Sequence, residues 1–290
     1  LLKFFLRCET YLMDDKQYLQ HLELLYKAHK RKYENMWNIK YPDIFHVNGL
    51  PIHFDTRAKK ILIALSGGAD STMVTYMLCK LIEEQGFDAK ISCFTMVRFW
   101  DVKPWLEPMA KDVFTYLKNT FPNIIDEHHW GFLPPQLEVV PLLKAGIVED
   151  LPPTASCDVL CTVEYQKYLL KTKGYQYTYS GNTMNPPTNH SEAPQFRNID
   201  KIKNDITFVI SGPSINPFGL LHKNFTMAQY INYGLNDLLA LTRSCEGSIV
   251  EFGEEYLHNN DYPPECGTCF FCEEKTWGFN NAEGYLLENL

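Results

Sequence analysis

The chain has 290 residues, is 45% hydrophobic and 21% charged, and can bury a substantial core, so disorder is not the default and the length suits one large α/β domain with appendages or two small domains. A formal net charge of -8 offers no basic footprint for a phosphate backbone, so extended nucleic-acid binding is disfavoured and a small-molecule substrate is the simpler expectation. No apolar run is long enough to cross a bilayer, and the apolar start from Leu1 to Leu12 has no convincing cleavage site, so a soluble, cytoplasmic protein is expected.

Residues 1–58 carry a helical pattern through Tyr18, Leu22, Leu25 and Tyr26 and then an Asn48-Gly49 turn signal; they read as a helical extension without assigned chemistry. From Lys59 a βα rhythm takes over: a strand from Ile61 to Leu65, a helix from Ser71 to Gln85 stopped by Gly86, and a strand from Lys90 to Met96. A second helix runs through Leu106, Met109, Val113 and Leu117 to a short extended stretch at Ile124 and Ile125, and residues 131–156 are proline-punctuated and read as irregular. A helix from Asp158 to Thr172 precedes the tyrosine-rich strand from Tyr175 to Tyr179. Residues 184–205, with Pro186-Pro187, read as a mobile loop over the site. A strand near Ile206 to Ile210 leads to Asn216-Pro217-Phe218, Lys223, and a helix capped by Thr226 and ended by Gly234. Strands alternating with helices predict a parallel sheet flanked by helices, with ligands at the C-terminal strand ends.

The hexapeptide Ser66-Gly67-Gly68-Ala69-Asp70-Ser71 sits between the first of these strands and its helix. Two glycines allow close backbone approach to an anion, and the N–H groups of a new helix point at it with the positive end of the dipole. Ser66 and Ser71 add hydroxyl donors, while Asp70 would repel a bare phosphate and so implies a bridging Mg2+, a metal nucleotide and not phosphate alone. There is no Gly-Lys-Ser/Thr ending, which argues against a Walker A loop. The bland alternative is a plain Gly-Gly turn with Asp70 or Ser71 as helix cap.

Nine cysteines make an odd count in a large chain, so spacing is more informative than number. Cys266, Cys269 and Cys272 step by three residues and Cys245 lies about twenty upstream, a tetrahedral Zn2+ ligand set whose closed shell would fold the C-terminal segment; an iron–sulfur cluster is the alternative. Cys79 and Cys93 fall on apolar faces and read as small buried hydrophobes.

Ser-Gly-Gly-x-Asp-Ser resembles the PP-loop of the ATP pyrophosphatase superfamily, whose members cleave ATP between the α and β phosphates. Joined to the cysteine knuckle, it is similar to the 7-cyano-7-deazaguanine synthase (QueC) family of queuosine biosynthesis. Asn216-Pro217-Phe218 with downstream Lys223 resembles that family's Pro-Leu segment and lysine, Thr242-Arg243-Ser244-Cys245 its Thr-Trp-Ser-Cys, and Cys266-Gly267-Thr268-Cys269 its Cys-Gly-x-Cys. The resemblance spans about Lys59 to Phe279. It implies a PP-loop ATP-binding domain over 59–235 and a zinc-binding segment over 236–290. The implied reaction is adenylation of a carboxylate, displacement of AMP by ammonia to give an amide, and a second activation that dehydrates the amide to a nitrile. The amides of Gly67 and Gly68 with Ser66 and Ser71 would hold pyrophosphate, Asp70 magnesium, and Lys223 phosphate or carboxylate charge, unless Lys223 is a solvated surface residue. Gly181 would pass close to the nucleotide, and a homodimer is the family expectation. After Gly181, Asn182-Thr183-Met184-Asn185-Pro186-Pro187 departs from the acidic run of the family, which keeps open another acceptor (RNA thiolation, or a protein or nucleotide in a phage or phage-defence system) or a non-catalytic nucleotide-binding scaffold.

The remaining candidates read as structural. His128-His129 point apart on a strand; Cys157 and Cys161, four apart on a helix, read as core packing with sulfur transfer as the alternative; Tyr175, Tyr177 and Tyr179 alternate as sheet residues do.

Overall fold

In a computed structural model, the residues described are 43–98, 105–133, 157–187, 193–194, 197–198, 210–211, 214–246 and 265–286. The elements in chain order are β1 (Asp43–Val47), β2 (Leu50–Phe54), β3 (Lys60–Ala64), α1 (Ala69–Gln85), β4 (Lys90–Arg98), α2 (Leu106–Thr120), β5 (Ile125–Leu133), α3 (Cys157–Lys173) and β6 (Tyr177–Tyr179). They continue with β7 (Ile210–Ser211), β8 (Ser214–Ile215), α4 (Lys223–Asn232), α5 (Asn236–Ala240), α6 (Phe270–Asn280) and a 3-10 turn (Glu283–Tyr285).

β3 carries Ile61, Leu62 and Ile63 in succession, and all three are fully buried. A strand that is apolar on both sides needs a layer on each face. Ile61 and Ile63 pack with Met73 and Met77 of α1 and Val113 and Leu117 of α2, whereas Leu62 packs with Phe94 and with Leu169 of α3. The sheet order is β5-β4-β3-β6-β8-β7, with β5 to β8 joined by parallel pairings and β7 running antiparallel at the edge. From β3 the chain moves outward through β4 and β5, then returns to β6 on the other side of β3. The reversal places a topological switch point at the C-terminal ends of β3 and β6, where doubly wound sheets bind ligands.

Three expectations change, and two lie largely outside the described residues. Residues 43–54, within the leading segment expected to be helical, form the β1–β2 hairpin, with Asn48 (φ 48°) and Gly49 (φ 78°) as its two-residue turn. β5 is nine residues long and takes in 131–133, expected to be irregular, while the rest of that stretch to 156 lies outside the described residues. α4 begins at Lys223 with His222 at its N-cap, so Thr226 is inside the helix and caps nothing. The strand near Ile206 is described only at Ile210–Ser211, and the helical pattern through Tyr18 lies outside the described residues. No helix among the described residues is long and apolar enough to cross a membrane.

Candidate nucleotide and metal sites

Leu65 continues β3 into the loop, its N–H donating to the Phe94 carbonyl at 2.9 Å. Gly67 then takes φ +72°, and a Cβ there would stand 3.0 Å from the Ala110 backbone nitrogen, so only glycine fits between the loop and α2. Gly68 is the N-cap of α1 without a side-chain cap bond; neither Asp70 nor Ser71 caps. Instead Ser71 Oγ lies 3.2 Å from the Gly68 carbonyl and 3.0 Å from Ser66 Oγ, closing the loop on itself. Thr72 Oγ1 donates to the same carbonyl at 2.9 Å. Ser71 is buried and shapes the loop, while Ser66 is exposed. The N–H groups of Ala69, Asp70 and Ser71 precede the first intrahelical bond, which runs from the Thr72 N–H to the Gly68 carbonyl at 3.2 Å. The resulting cluster of donors at a helix N-terminus suits an anion.

Asp70 faces the second loop of the switch point. Its Oδ2 lies 2.5 Å from Lys223 Nζ and 3.5 Å from Thr183 Oγ1. Its Oδ1 is buried and has no partner among the described residues. One carboxylate oxygen held by a lysine and the other unspent fits the donor set that a divalent cation would need. Lys223, a candidate that could have been a solvated surface residue, has a side chain only 3% exposed. Gly181 packs on the same corner: a Cβ there would stand 2.5 Å from the Asp70 carbonyl oxygen. The following loop is clamped by Asn216, whose Oδ1 accepts from the Asn182 N–H at 3.3 Å and whose Nδ2 donates to the Asn182 carbonyl at 2.9 Å.

Two charged residues that sequence reasoning missed complete this corner. Arg197 donates from Nε to the Thr183 carbonyl at 2.5 Å and from Nη2 to Thr183 Oγ1 at 2.8 Å, and it pairs with Glu274 of α6. Both Arg197 and Glu274 are buried, so this part of the stretch expected to be a mobile loop is tied to the protein.

The four cysteines converge as expected. The Sγ atoms of Cys245, Cys266, Cys269 and Cys272 all lie within 4.8 Å of one another, with Cys266 and Cys272 at 3.8 Å. The Cys266 N–H points at Cys245 Sγ (3.5 Å) and the Cys269 N–H at Cys266 Sγ (3.3 Å), so backbone amides support the sulfurs. Cys269 is the N-cap of α6 and Cys272 lies in its first turn, where the helix dipole favours thiolates. Crowding among the sulfurs pushes the Cys269 and Cys272 thiols up, a penalty that a bound cation reverses. This centre adjoins the loop: the Arg243 N–H donates to the Gly67 carbonyl at 2.9 Å, and the Arg243 guanidinium stacks 4.0 Å over Trp105, which packs on the cysteines.

Elsewhere, His128 Nε2 bonds Thr95 Oγ1 at 2.8 Å, the ring lies against Phe114 and Trp130, and burial pushes the imidazole down to about 4. His129 turns the other way to the Tyr175 hydroxyl. The two are structural in this arrangement. Tyr177 and Tyr179 donate to Asp55 Oδ2 (2.9 Å) and the His53 carbonyl (2.6 Å), tying the sheet to the hairpin. Cys79 and Cys93 are fully buried with their thiols pushed up by desolvation. Cys157 and Cys161 fall on α3, but their side chains lie outside the described residues.

No family model matches the chain, and no curated protein does. Among solved structures, it is similar to an NAD+ synthetase from Burkholderia pseudomallei at 13% identity and TM-score 0.39, over 80% of this chain and 76% of that one. It is also similar to the U34-tRNA thiolase NcsA from Methanococcus maripaludis with its [4Fe-4S] cluster, at 14% identity and TM-score 0.35, over 91% and 79%.

Proposed function

We propose that the protein is an ATP-dependent enzyme that adenylates a carboxylate and releases pyrophosphate and AMP. The observation that carries the reading is the corner at Asp70: a glycine-cornered, amide-lined loop opening α1, with Asp70 Oδ1 unspent and Lys223 Nζ 2.5 Å from Oδ2. The amides at the start of α1 would receive the pyrophosphate as its charge develops. Asp70 would hold Mg2+, which when bound neutralises phosphate oxygens. Lys223 would move its charge from Asp70 toward the α-phosphate as negative charge grows there. Gly181 and the Asn182–Asn216 clamp fix the opposite wall, and hence the approach of the acceptor.

The acceptor named by the sequence resemblance is 7-carboxy-7-deazaguanine: ammonia displaces AMP to give an amide, and a second ATP would adenylate the amide oxygen, which then leaves with AMP to give a nitrile. For the cysteine centre we propose Zn2+. A tetrahedral ion about 2.3 Å from each thiolate sets the sulfurs about 3.8 Å apart, which matches Cys266 and Cys272. A cubane, with four irons between the thiolates, needs them further apart. Zn2+ in a closed four-sulfur shell takes no part in the chemistry and braces α6 and the Arg243 backbone under the loop.

Incubation with ATP, Mg2+, ammonium and 7-carboxy-7-deazaguanine should yield AMP and pyrophosphate in equal amounts together with amide or nitrile. Release of ADP and phosphate overturns the adenylation reading, and no turnover with the metal centre intact overturns this acceptor. A second reading, an acceptor group on RNA or protein, draws on the loop itself: residues 181–187 offer no carboxylate. In its sulfur-transfer version Cys157→Ser abolishes product, and full activity of that variant removes it.

A further inference from the structure

Glu274 lies two residues beyond Cys272, and its side chain is fully shielded from solvent. A carboxylate in such a place is costly unless it is paired and hydrogen-bonded. It is shared between two cations, pairing with Arg197 through both oxygens and standing 3.7 Å from Lys223 Nζ through Oε2. Lys223 is itself the first residue of α4, where the positive end of the helix dipole disfavours a cation. It therefore depends on the two carboxylates, Asp70 at 2.5 Å and Glu274 beyond it.

We propose that Glu274 is a positioning residue for the candidate ATP site: from the cysteine-bearing helix it takes a share of the Lys223 charge, so that Asp70 keeps enough negative charge to hold the divalent cation of a metal–nucleotide complex. The proposal rests on the ATP reading above. Without the Glu274 carboxylate, Asp70 is the acid left facing the buried cations Arg197 and Lys223 among the described residues, and the contact that Lys223 already makes with it at 2.5 Å tightens because no second carboxylate shares the ammonium charge. An incoming divalent cation then meets a neutralised carboxylate. On its other side Glu274 pairs with Arg197, whose own bonds to the Thr183 hydroxyl and carbonyl remain when Glu274 becomes a glutamine, so the effect on the cation is carried by Lys223.

The distinguishing feature is that the effect passes through Lys223. Binding of Mn2+·ATP to the full chain, read from the electron paramagnetic resonance signal of free Mn2+, is to be compared in wild type, Glu274→Gln, Lys223→Met and the double variant, with the metal content of the cysteine centre assayed alongside. Glu274→Gln should weaken binding about tenfold while keeping that metal, and in the Lys223→Met background it should cost less than twofold. Equal losses in both backgrounds, or no loss in either, overturn the role of Glu274 and leave the ATP reading standing. No binding by wild type overturns the ATP reading and this inference with it. If Glu274→Gln does not fold, Arg197→Met/Glu274→Gln keeps the buried charge balanced and tests the same contact, with the same tenfold loss expected and its absence decisive against the proposal.

Discussion

Lys223 Nζ stands 2.5 Å from Asp70 Oδ2, across 153 residues of sequence, and the pair closes the corner where β3 and β6 end. Asp70→Asn keeps the shape but removes the charge that would hold Mg2+, and Lys223→Met removes the cation that would meet the developing negative charge. Each should lower the rate of AMP formation by roughly 10²–10³, the usual cost of deleting one electrostatic stabiliser. Near-wild-type rates for Asp70→Asn would remove the site from the phosphate loop.

Gly181 is held against Asp70 by contact. A Cβ at 181 would stand 2.5 Å from the Asp70 carbonyl oxygen and 2.8 Å from the Ser71 nitrogen, both backbone atoms that cannot rotate away. Gly181→Ala should therefore cost about 1–3 kcal/mol, as overpacking does, and lower nucleotide affinity. A thermal melt and a titration with ATP check the two effects, and an unchanged melting temperature would contradict the geometry.

Removal of the metal proposed for the four-cysteine centre should be felt at the loop. Cys272→Ser, or treatment with a chelator, is expected to loosen α6 first, seen as new proteolytic cleavage after Cys245. Loss of nucleotide binding should follow, because Glu274 sits on α6 and Arg243 donates to the Gly67 carbonyl. Retained nucleotide affinity in metal-free protein would separate the two centres.

The hairpin carries an acid-sensitive anchor. Hydrogen bonds from Arg57, and a further one from Tyr177, hold the Asp55 carboxyl down at about 2. A depressed carboxylate adds stability above its unfolded value, and that stability is lost as pH falls from about 4 toward about 2. Because Arg57 is 61% exposed, the contribution is on the order of 1 kcal/mol. Asp55→Asn should lower the melting temperature at neutral pH and narrow the gap from wild type near pH 2.

His128 acts in a different window. Burial holds its imidazole at about 4, so the folded protein keeps it neutral while the unfolded chain takes up a proton. The folded state should lose stability as pH falls from about 6.5 toward 4, and His128→Gln should flatten that slope. An identical slope in the variant would mean that the ring is not buried in solution.

Much of this was readable in the residues, for reasons that are local. Ser66 to Ser71 combines glycine conformational freedom with a strand before it and a helix after it, and the cysteine spacing permits one tight knuckle. The Asn48-Gly49 pair likewise named its turn, although the strands around it, interrupted by Pro51 and the half-exposed Asp43 to Phe45, were lost among helical signals. β5 was cut short because Asp126, Glu127, His128 and His129 look unlike a buried strand. Arg197 and Glu274 were missed because their partnership spans 77 residues and each lies in a stretch that reads as polar. A faint signal existed: Glu274 falls four residues after Phe270 and four before Gly278, on the buried face of α6.

The hairpin also decides how the molecule can be divided. Leu50, Ile52 and Phe54 belong to the same cluster as Ile61 and Ile63, each worth about 1.5–3 kcal/mol when withdrawn from water. A fragment starting at Lys59 would leave that share of the interior facing solvent, so a trimmed version made for crystallography should open before Asp43.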